Sequence, residues 1–277
     1  MMNIIHIAVA NLSLGAALPT PPVAYVSAGD RLMVVDPAMG RIEAVIELPA
    51  SDGFPPAVSP DGAFVYVPSG GSTVEEGSVY VIDAATNTLD AEIEAGIRPV
   101  AVAFTPDGAF AYVANQWESS VSVVDTATLD IVATVRVGFL PSSIAMAPDG
   151  TFAYVANLGP GGLGAPGAVD TVSVIDTSTN TVEAVIDVSP IPVDVAITPD
   201  GSRAYVLSTL FDEFSLIDTA THEVDETFPL GDGRRVIFSP DGELAYLLGY
   251  EMISVIRTET NTIEAAIPEN GCDMALT

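Results

Sequence analysis

The segment TPDGAFAYVANQWESSVSVVDTATLDIVATVRVG, residues 105–138, recurs along the chain in degenerate copies. Each copy contains a tyrosine in a strand-like context, followed by a polar turn of the type VIDTSTNT. A repeat with a period of about 20–50 residues indicates stacked supersecondary units. The tyrosines are Tyr25, Tyr66, Tyr112, Tyr154, Tyr205 and Tyr246, and the turns are marked by Asp36, Asp83, Asp125, Asp176, Asp218 and Arg257.

Each copy contains four short strand-like runs, which in the third copy are PVAVAF (A), AFAYVAN (B), SVSVVD (C) and DIVATVRV (D). Pro-Asp-Gly separates A from B, and an Asp-Thr-x-Thr-Asn-Thr type of segment separates C from D, both of which favour turns. No helical period competes with the alternating pattern. The sequence therefore predicts an all-β, six-bladed β-propeller of four-stranded antiparallel blades.

The residues of the repeat also resemble those of a known family. AYVAN after Pro-Asp-Gly, followed by VIDTSTNT, resembles the YVTN-type β-propeller repeat of surface-layer and lactonase-like proteins. The resemblance extends over residues 19–277 and is specific for the fold rather than for an activity. It implies an extracellular or cell-surface location.

Two segments compete for strand A of the first blade. CDMALT at the C-terminus aligns in register with PVAVAFT, which predicts a ring closed by the C-terminal strand joining the N-terminal blade. Residues 1–17 would then be an extension outside a single propeller domain of residues 18–277. In the alternative, IIHIAVAN near the N-terminus provides this strand.

Composition restricts the partners. The formal net charge is −29, from 37 acidic residues against 8 arginines, so nucleic acid is not expected as a partner. The sequence contains no uninterrupted run of 18 or more apolar residues, so it does not predict a membrane-spanning helix. A single cysteine and two histidines give no basis for a disulfide or a metal site, and we expect no cofactor.

Loop lengths distinguish the two ends of the blades. The interval from the tyrosine to the C–D turn varies from 11 residues (Tyr25 to Asp36) to 22 (Tyr154 to Asp176), which places the length variation in the B–C loops. In an antiparallel blade these loops share one face with the D–A connections. Variable loops on a rigid scaffold usually hold binding groups. The B–C loops are contained in residues 68–78, 115–120, 157–171, 208–213 and 249–252.

Candidate site residues come from this face. The starts of the A strands give an unequal column containing Asp194, Arg235 and Asp273, for which we expect acid–base and anion-stabilising roles if the protein is an enzyme. The alternative is structural, with Arg234 and Arg235 paired to Asp194, Asp273 and Asp232 between blades. The expected ligand-binding residues are Arg98, Asn115, Trp117, Glu118, Asn157, Arg234 and Tyr250.

Two functions fit these residues. The first is a module that binds a small anionic or polar molecule, or another protein, at the loop-rich face. The second is a small-molecule enzyme, a lactonase, lyase or cyclase, with an axial Asp/Arg site on the same face. GxSxG, Walker, HExxH and His-cluster motifs are absent from the sequence, which disfavours the reactions that depend on them.

Overall fold

The computed structural model describes residues 6–9, 23–49, 52–70, 77–159, 170–229, 231, 233–249 and 252–268. These residues form 24 β-strands and no helix, so none of them belongs to a helix that is long and apolar enough to cross a membrane. The strands form six four-stranded antiparallel sheets, which are the blades of an all-β, six-bladed β-propeller. The fold class predicted from the repeat is confirmed.

The chain forms two compact units, with the boundary between Thr134 and Val135. The first unit contains three sheets, except that the last two residues of their final strand, β12, belong to the second unit. The strands are β1 (His6–Val9), β2 (Ala24–Ala28), β3 (Arg31–Asp36) and β4 (Arg41–Glu47); β5 (Ala57–Val58), β6 (Phe64–Ser69), β7 (Gly77–Asp83) and β8 (Thr88–Gly96); and β9 (Pro99–Phe104), β10 (Phe110–Asn115), β11 (Ser120–Asp125) and β12 (Ile131–Arg136).

The second unit contains the other three sheets, with the same order of strands from A to D. They are β13 (Pro141–Met146), β14 (Phe152–Asn157), β15 (Asp170–Asp176) and β16 (Thr181–Val188); β17 (Pro192–Ile197), β18 (Arg203–Ser208), β19 (Glu213–Asp218) and β20 (Glu223–Pro229); and β21 (Arg235–Phe238), β22 (Leu244–Leu248), β23 (Met252–Arg257) and β24 (Thr262–Pro268).

The repeated tyrosine has one structural role in each blade. It lies on strand B, and in the second to fifth blades it is directly opposite an alanine of strand A, as in Tyr112 opposite Ala103 and Tyr205 opposite Ala196. In the sixth blade Tyr246 is opposite Ile237. Five of the six tyrosines are at most 2% exposed. A large ring opposite a small side chain fills the space between sheets without overpacking, so this pair accounts for much of the conserved pattern of the repeat.

The repeated aspartates form the turns. In each Pro-Asp-Gly turn, Asp Oδ1 accepts a hydrogen bond from the backbone amide two residues later. In the C–D turns, Asp Oδ1 accepts from the amides two and three residues later. These aspartates replace missing backbone acceptors, which confirms their predicted role as turn residues.

The prediction for the first blade was wrong. Strand β1, His6–Val9, is the first strand of this sheet and pairs with β2, so the alternative segment near the N-terminus provides strand A. The pairing places Ala8 opposite Tyr25, in the same register as Ala103 opposite Tyr112. Residues 1–17 therefore contain a strand of the first blade and do not lie wholly outside the repeat. The C-terminal hexapeptide lies outside the described residues.

Candidate functional site

Three neighbouring A strands in the second unit bring together the unequal residues of the predicted column. Ser143 on β13, Asp194 on β17 and Arg235 on β21 occupy equivalent positions, opposite Ala156, Leu207 and Leu248. In β13 and β17 an irregularity in the pairing immediately precedes this position. Such bulges reorient side chains at the end of a strand. One column of the repeat thus supplies a hydroxyl, a carboxylate and a guanidinium.

Asp194 is held by groups from both neighbouring strands. The Ser143 hydroxyl donates to Asp194 Oδ1 at 2.8 Å, and the Val236 amide donates to Oδ2 at 2.8 Å. Burial raises the pKa of Asp194 above its ordinary value, while the charge of Arg235 and these hydrogen bonds oppose the rise. The carboxylate is therefore fixed in place and is a better proton acceptor than an exposed aspartate.

Arg235 has unused hydrogen-bonding capacity. Its Nη1 atom is buried and has no hydrogen-bond partner among the described residues. Its charge acts on Asp194, but the described residues include no ion pair within 4.0 Å between the two side chains. The structural alternative therefore does not hold for the direct pair of Arg235 and Asp194. The other two acidic residues of the structural alternative, Asp232 and Asp273, lie outside the described residues.

A second group of predicted residues meets in the first unit. The guanidinium carbon of Arg98 lies 4.7 Å from the ring centre of Trp117 and 5.3 Å from that of Phe54. Arg98 Nε donates to Gln116 Oε1 at 3.0 Å, and Nη1 lies 3.6 Å from Asp52 Oδ2. The D–A connection and the B–C loop thus meet here, as the topology predicts. We call Asp52, Phe54, Arg98, Gln116 and Trp117 the Arg98 cluster.

Other predicted ligand-binding residues have structural contacts. Asn115 and Asn157 are fully buried, and their side-chain amide groups donate to backbone carbonyls and hydroxyls. Glu118 Oε2 accepts from the Ile97 amide at 3.4 Å. The Arg234 side chain is exposed and its backbone amide donates to Leu248. Tyr250 and Asp273 lie outside the described residues.

Several site residues were missed by the sequence-based prediction. Ser143 stands in the same aligned column as Asp194, and its position in that column could have identified it as a site residue. Phe54 stands in the column next to that of Asp194, but an apolar residue there did not indicate a site, and Asp52 precedes the aligned positions. The 130 Å³ cavity in the first unit lies at the A–B turns, lined by Tyr66, Phe104, Asp61 and Asp107 among others, and includes none of the predicted site residues.

Metal ligands do not converge in the part of the chain that the structure describes. No group of three or more His, Cys, Asp or Glu side chains there is arranged to hold an ion. The acceptor groups at the site are instead single carboxylates and hydroxyls beside a guanidinium. This donor set suits hydrogen bonding to an organic ligand.

The fold defines the chain as a β-propeller protein, and its sequence places it in a family. The family model described as "Lactonase, 7-bladed beta-propeller" matches residues 56–218, more than half of the chain, and the chain belongs to this family. The family description names seven blades, whereas the described residues form six. The finer YVTN assignment stays a resemblance.

Similar proteins are consistent with the family. The chain is 33% identical over 93 residues to a seven-bladed β-propeller protein of Mycobacterium tuberculosis, a match that covers 31% of this chain and 24% of the relative. It is 32% identical over 108 residues to an uncharacterized protein of Bacillus subtilis, covering 38% of this chain and 24% of that one. The matched segments thus span about a quarter of the length of these relatives.

Two solved structures have related folds. Hydrazine synthase of Kuenenia stuttgartiensis matches with a TM-score of 0.67 and 28% identity, over 79% of this chain and 66% of that one. A functionally unknown protein of Desulfotomaculum acetoxidans matches with a TM-score of 0.74 and 15% identity, over 88% and 81% of the two chains. The second likeness concerns the fold alone.

Proposed function

We propose that the protein binds a small polar or anionic molecule at Ser143, Asp194 and Arg235. The observation that carries the proposal is the buried Nη1 atom of Arg235, which has no described acceptor. An unpaired buried donor costs free energy that a ligand oxygen recovers on binding. A carboxylate or carbonyl oxygen is the acceptor that fits a guanidinium best.

Asp194 adds selectivity to the same site. Its two carboxylate oxygens are oriented by Ser143 and Val236, so a ligand hydroxyl next to the acceptor oxygen has a fixed carboxylate to donate to. A hydroxy acid, or the lactone formed from one, carries both groups. The proposed ligand class is therefore a small molecule with a hydroxyl close to a carboxylate or an ester carbonyl.

Lactone hydrolysis is the second candidate function, and family membership favours it. In this reaction Asp194 would take a proton from the attacking water, and Arg235 would stabilise the oxyanion that forms on the carbonyl. The ring C–O bond would then break, and Asp194 would return the proton to the leaving alkoxide, which gives the hydroxy acid. The raised pKa of Asp194 supports the role of a base. The same three side chains serve both candidates, so the two differ in turnover rather than in position.

The test uses small lactones and their ring-opened hydroxy acids as probes. Calorimetry measures binding of the hydroxy acids, and a pH-stat measures proton release from the lactones. Binding without proton release supports a binding module, whereas catalysed release supports the enzyme. Arg235→Ala should abolish both signals.

The control is Arg203→Ala. Arg203 is an exposed arginine at the start of β18, opposite Asp218 of β19 in the strand register, and it lies at the other end of the strand from Leu207, which is opposite Asp194. The substitution should leave binding and turnover unchanged. Arg235→Ala with full binding and full turnover would refute the proposed site, as would failure of every lactone and hydroxy acid to bind or react.

A further inference from the structure

The Arg98 cluster departs from the repeat at a position where other blades use an apolar residue. Arg98, Leu140 and Ile191 each precede the first proline of an A strand, and all three have a positive φ of 54–59°. In each case the backbone carbonyl accepts from the first amide after strand B, at 2.8–3.1 Å. The connection therefore forms equally well with leucine or isoleucine, and its geometry does not require arginine.

The loop facing Arg98 gives the same contrast. Residues 116–119 and 209–212 are both four-residue turns between strands B and C, and the last residue of each, Ser119 or Asp212, has a positive φ of 53–54°. Leu210 and Phe211 in the second loop occupy the positions of Trp117 and Glu118 in the first, and both are exposed. The arginine, the tryptophan and the glutamine of the third blade are thus additions to a loop that folds without them.

The added side chains form an ordered arrangement. Arg98 lies between Phe54 and Trp117 in two cation–π contacts, and Gln116 accepts from its Nε. A Cβ at Gly70 would lie 2.7 Å from Arg98 Cγ and 3.1 Å from the Phe54 ring, so glycine leaves the space that the cluster occupies. Stacking on both faces restricts the guanidinium before any ligand arrives, which lowers the entropic cost of binding.

The cluster leaves an aromatic surface and polar edges accessible. Trp117 is 42% exposed, although Arg98 lies over its ring. The side chains of Arg98 and Asp52 are 25% and 33% exposed. Guanidinium and amide N–H groups are donors, and the Asp52 carboxylate is an acceptor, so both kinds of hydrogen-bonding group border the indole.

We propose that the Arg98 cluster is a second binding site, for an uncharged saccharide. Asp52 offsets the charge of Arg98 at 3.6 Å, so the cluster has no strong preference for an anion, and Arg98 itself disfavours a cation. An uncharged molecule with an apolar ring face and hydroxyls at its edge matches an indole bordered by donors and acceptors. This site belongs to the first unit and does not depend on the function proposed for Asp194 and Arg235.

Trp117 reports on this site directly, because it is the only tryptophan in the sequence. The experiment titrates the full chain with methyl β-D-glucoside, maltotriose and mannotriose, with glucuronate and glucosamine as charged probes, up to about 20 mM, which detects affinities in the millimolar range. We expect at least one uncharged probe to shift the emission, and neither charged probe to bind more tightly. Silence from all three uncharged probes, or tighter binding of a charged one, would overturn the proposal.

Variants separate ligand binding from folding. Arg98→Leu installs the residue found at position 140 and should weaken saccharide binding about tenfold or more, as expected for loss of charged hydrogen bonds, with the melting temperature maintained. The matched control Arg31→Leu removes an exposed arginine paired with Glu47 at 3.1 Å in the same unit and should leave binding unchanged. Equal affinity in Arg98→Leu and the wild type would refute the site. Arg235→Ala should bind the saccharide normally, so failure of one proposal leaves the other testable.

Discussion

Asp194 links two A strands at the candidate site, and its substitution tests how that site is held. In Asp194→Ala the Val236 amide, which is 2% exposed as a residue, loses its acceptor. An unsatisfied buried donor costs about 1–3 kcal/mol, so we expect the free energy of unfolding to fall by about that amount. Asp194→Asn keeps an oxygen for Val236 and an amide group that donates to Ser143, and it should cost under about 1 kcal/mol.

The pH dependence of the two variants gives a sharper test. Burial raises the pKa of Asp194 in the folded state above 3.8. A carboxyl group with a raised folded-state pKa contributes stability below its unfolded pKa and loses it as the pH rises through the folded pKa. Asp194→Asn does not titrate, so it should gain stability relative to the wild type as the pH rises above 3.8.

Urea unfolding at a series of pH values measures this difference, with circular dichroism as the probe. We expect the ranking wild type and Asp194→Asn above Asp194→Ala at acid pH, with the asparagine variant moving upward toward neutral pH. If Asp194→Asn instead becomes steadily less stable than the wild type as the pH rises, the carboxylate is stabilised by its surroundings. The reasoning from burial would then be refuted.

Three further predictions concern the frame. Burial raises the pKa of Tyr66 from 10.0 to about 12. The protonated phenol therefore contributes stability below pH 10, and this contribution is lost as the pH approaches 12. Tyr66→Phe should unfold less steeply with alkali than the wild type, as measured by an absorbance-monitored titration. A hydrogen bond from Thr198 holds the pKa of Asp200 below 3.8, so the turn contributes stability above pH 3.8 that is lost as the pH falls further; Thr198→Val should raise the pKa of Asp200 in an NMR titration, and an unchanged value would contradict this. Asn115→Ala removes the hydrogen bonds that a fully buried side-chain amide donates to the Ala95 carbonyl and the Ser122 hydroxyl, and it should lower the free energy of unfolding by about 1–3 kcal/mol, measured in urea. Full stability would mean that the amide is dispensable.

The candidate sites were only partly predictable. Asp194 and Arg235 could be found because the repeat defines a column and they depart from it. The contacts of Arg98 with Phe54 and Asp52 could not be found, because they join the connection before β5 to the connection before β9, and the repeat sets the register within a blade rather than contacts between blades. Asn115 and Asn157 appear in the sequence as polar residues at a loop, and only their burial reveals that they bind the backbone.

The choice of strand for the first blade also needed the structure. Both terminal segments alternate in the way that strand A requires, and CDMALT matches the repeat closely in register. Ala8 opposite Tyr25 obeys the same rule as Ala103 opposite Tyr112, so the rule was visible but did not decide between two candidates.

The sequence by itself determined the local structure: the alternation of the strands, the turns at Pro-Asp-Gly and the C–D aspartates, and the number of blades. These features depend on interactions between residues close in the chain, which recur with the repeat. Only the tertiary structure decided which segment completes the first sheet, which polar groups are buried, and which side chains from different loops meet around Arg98 and Asp194. Those outcomes depend on packing between distant segments, whose free energy is not encoded in any one copy of the repeat.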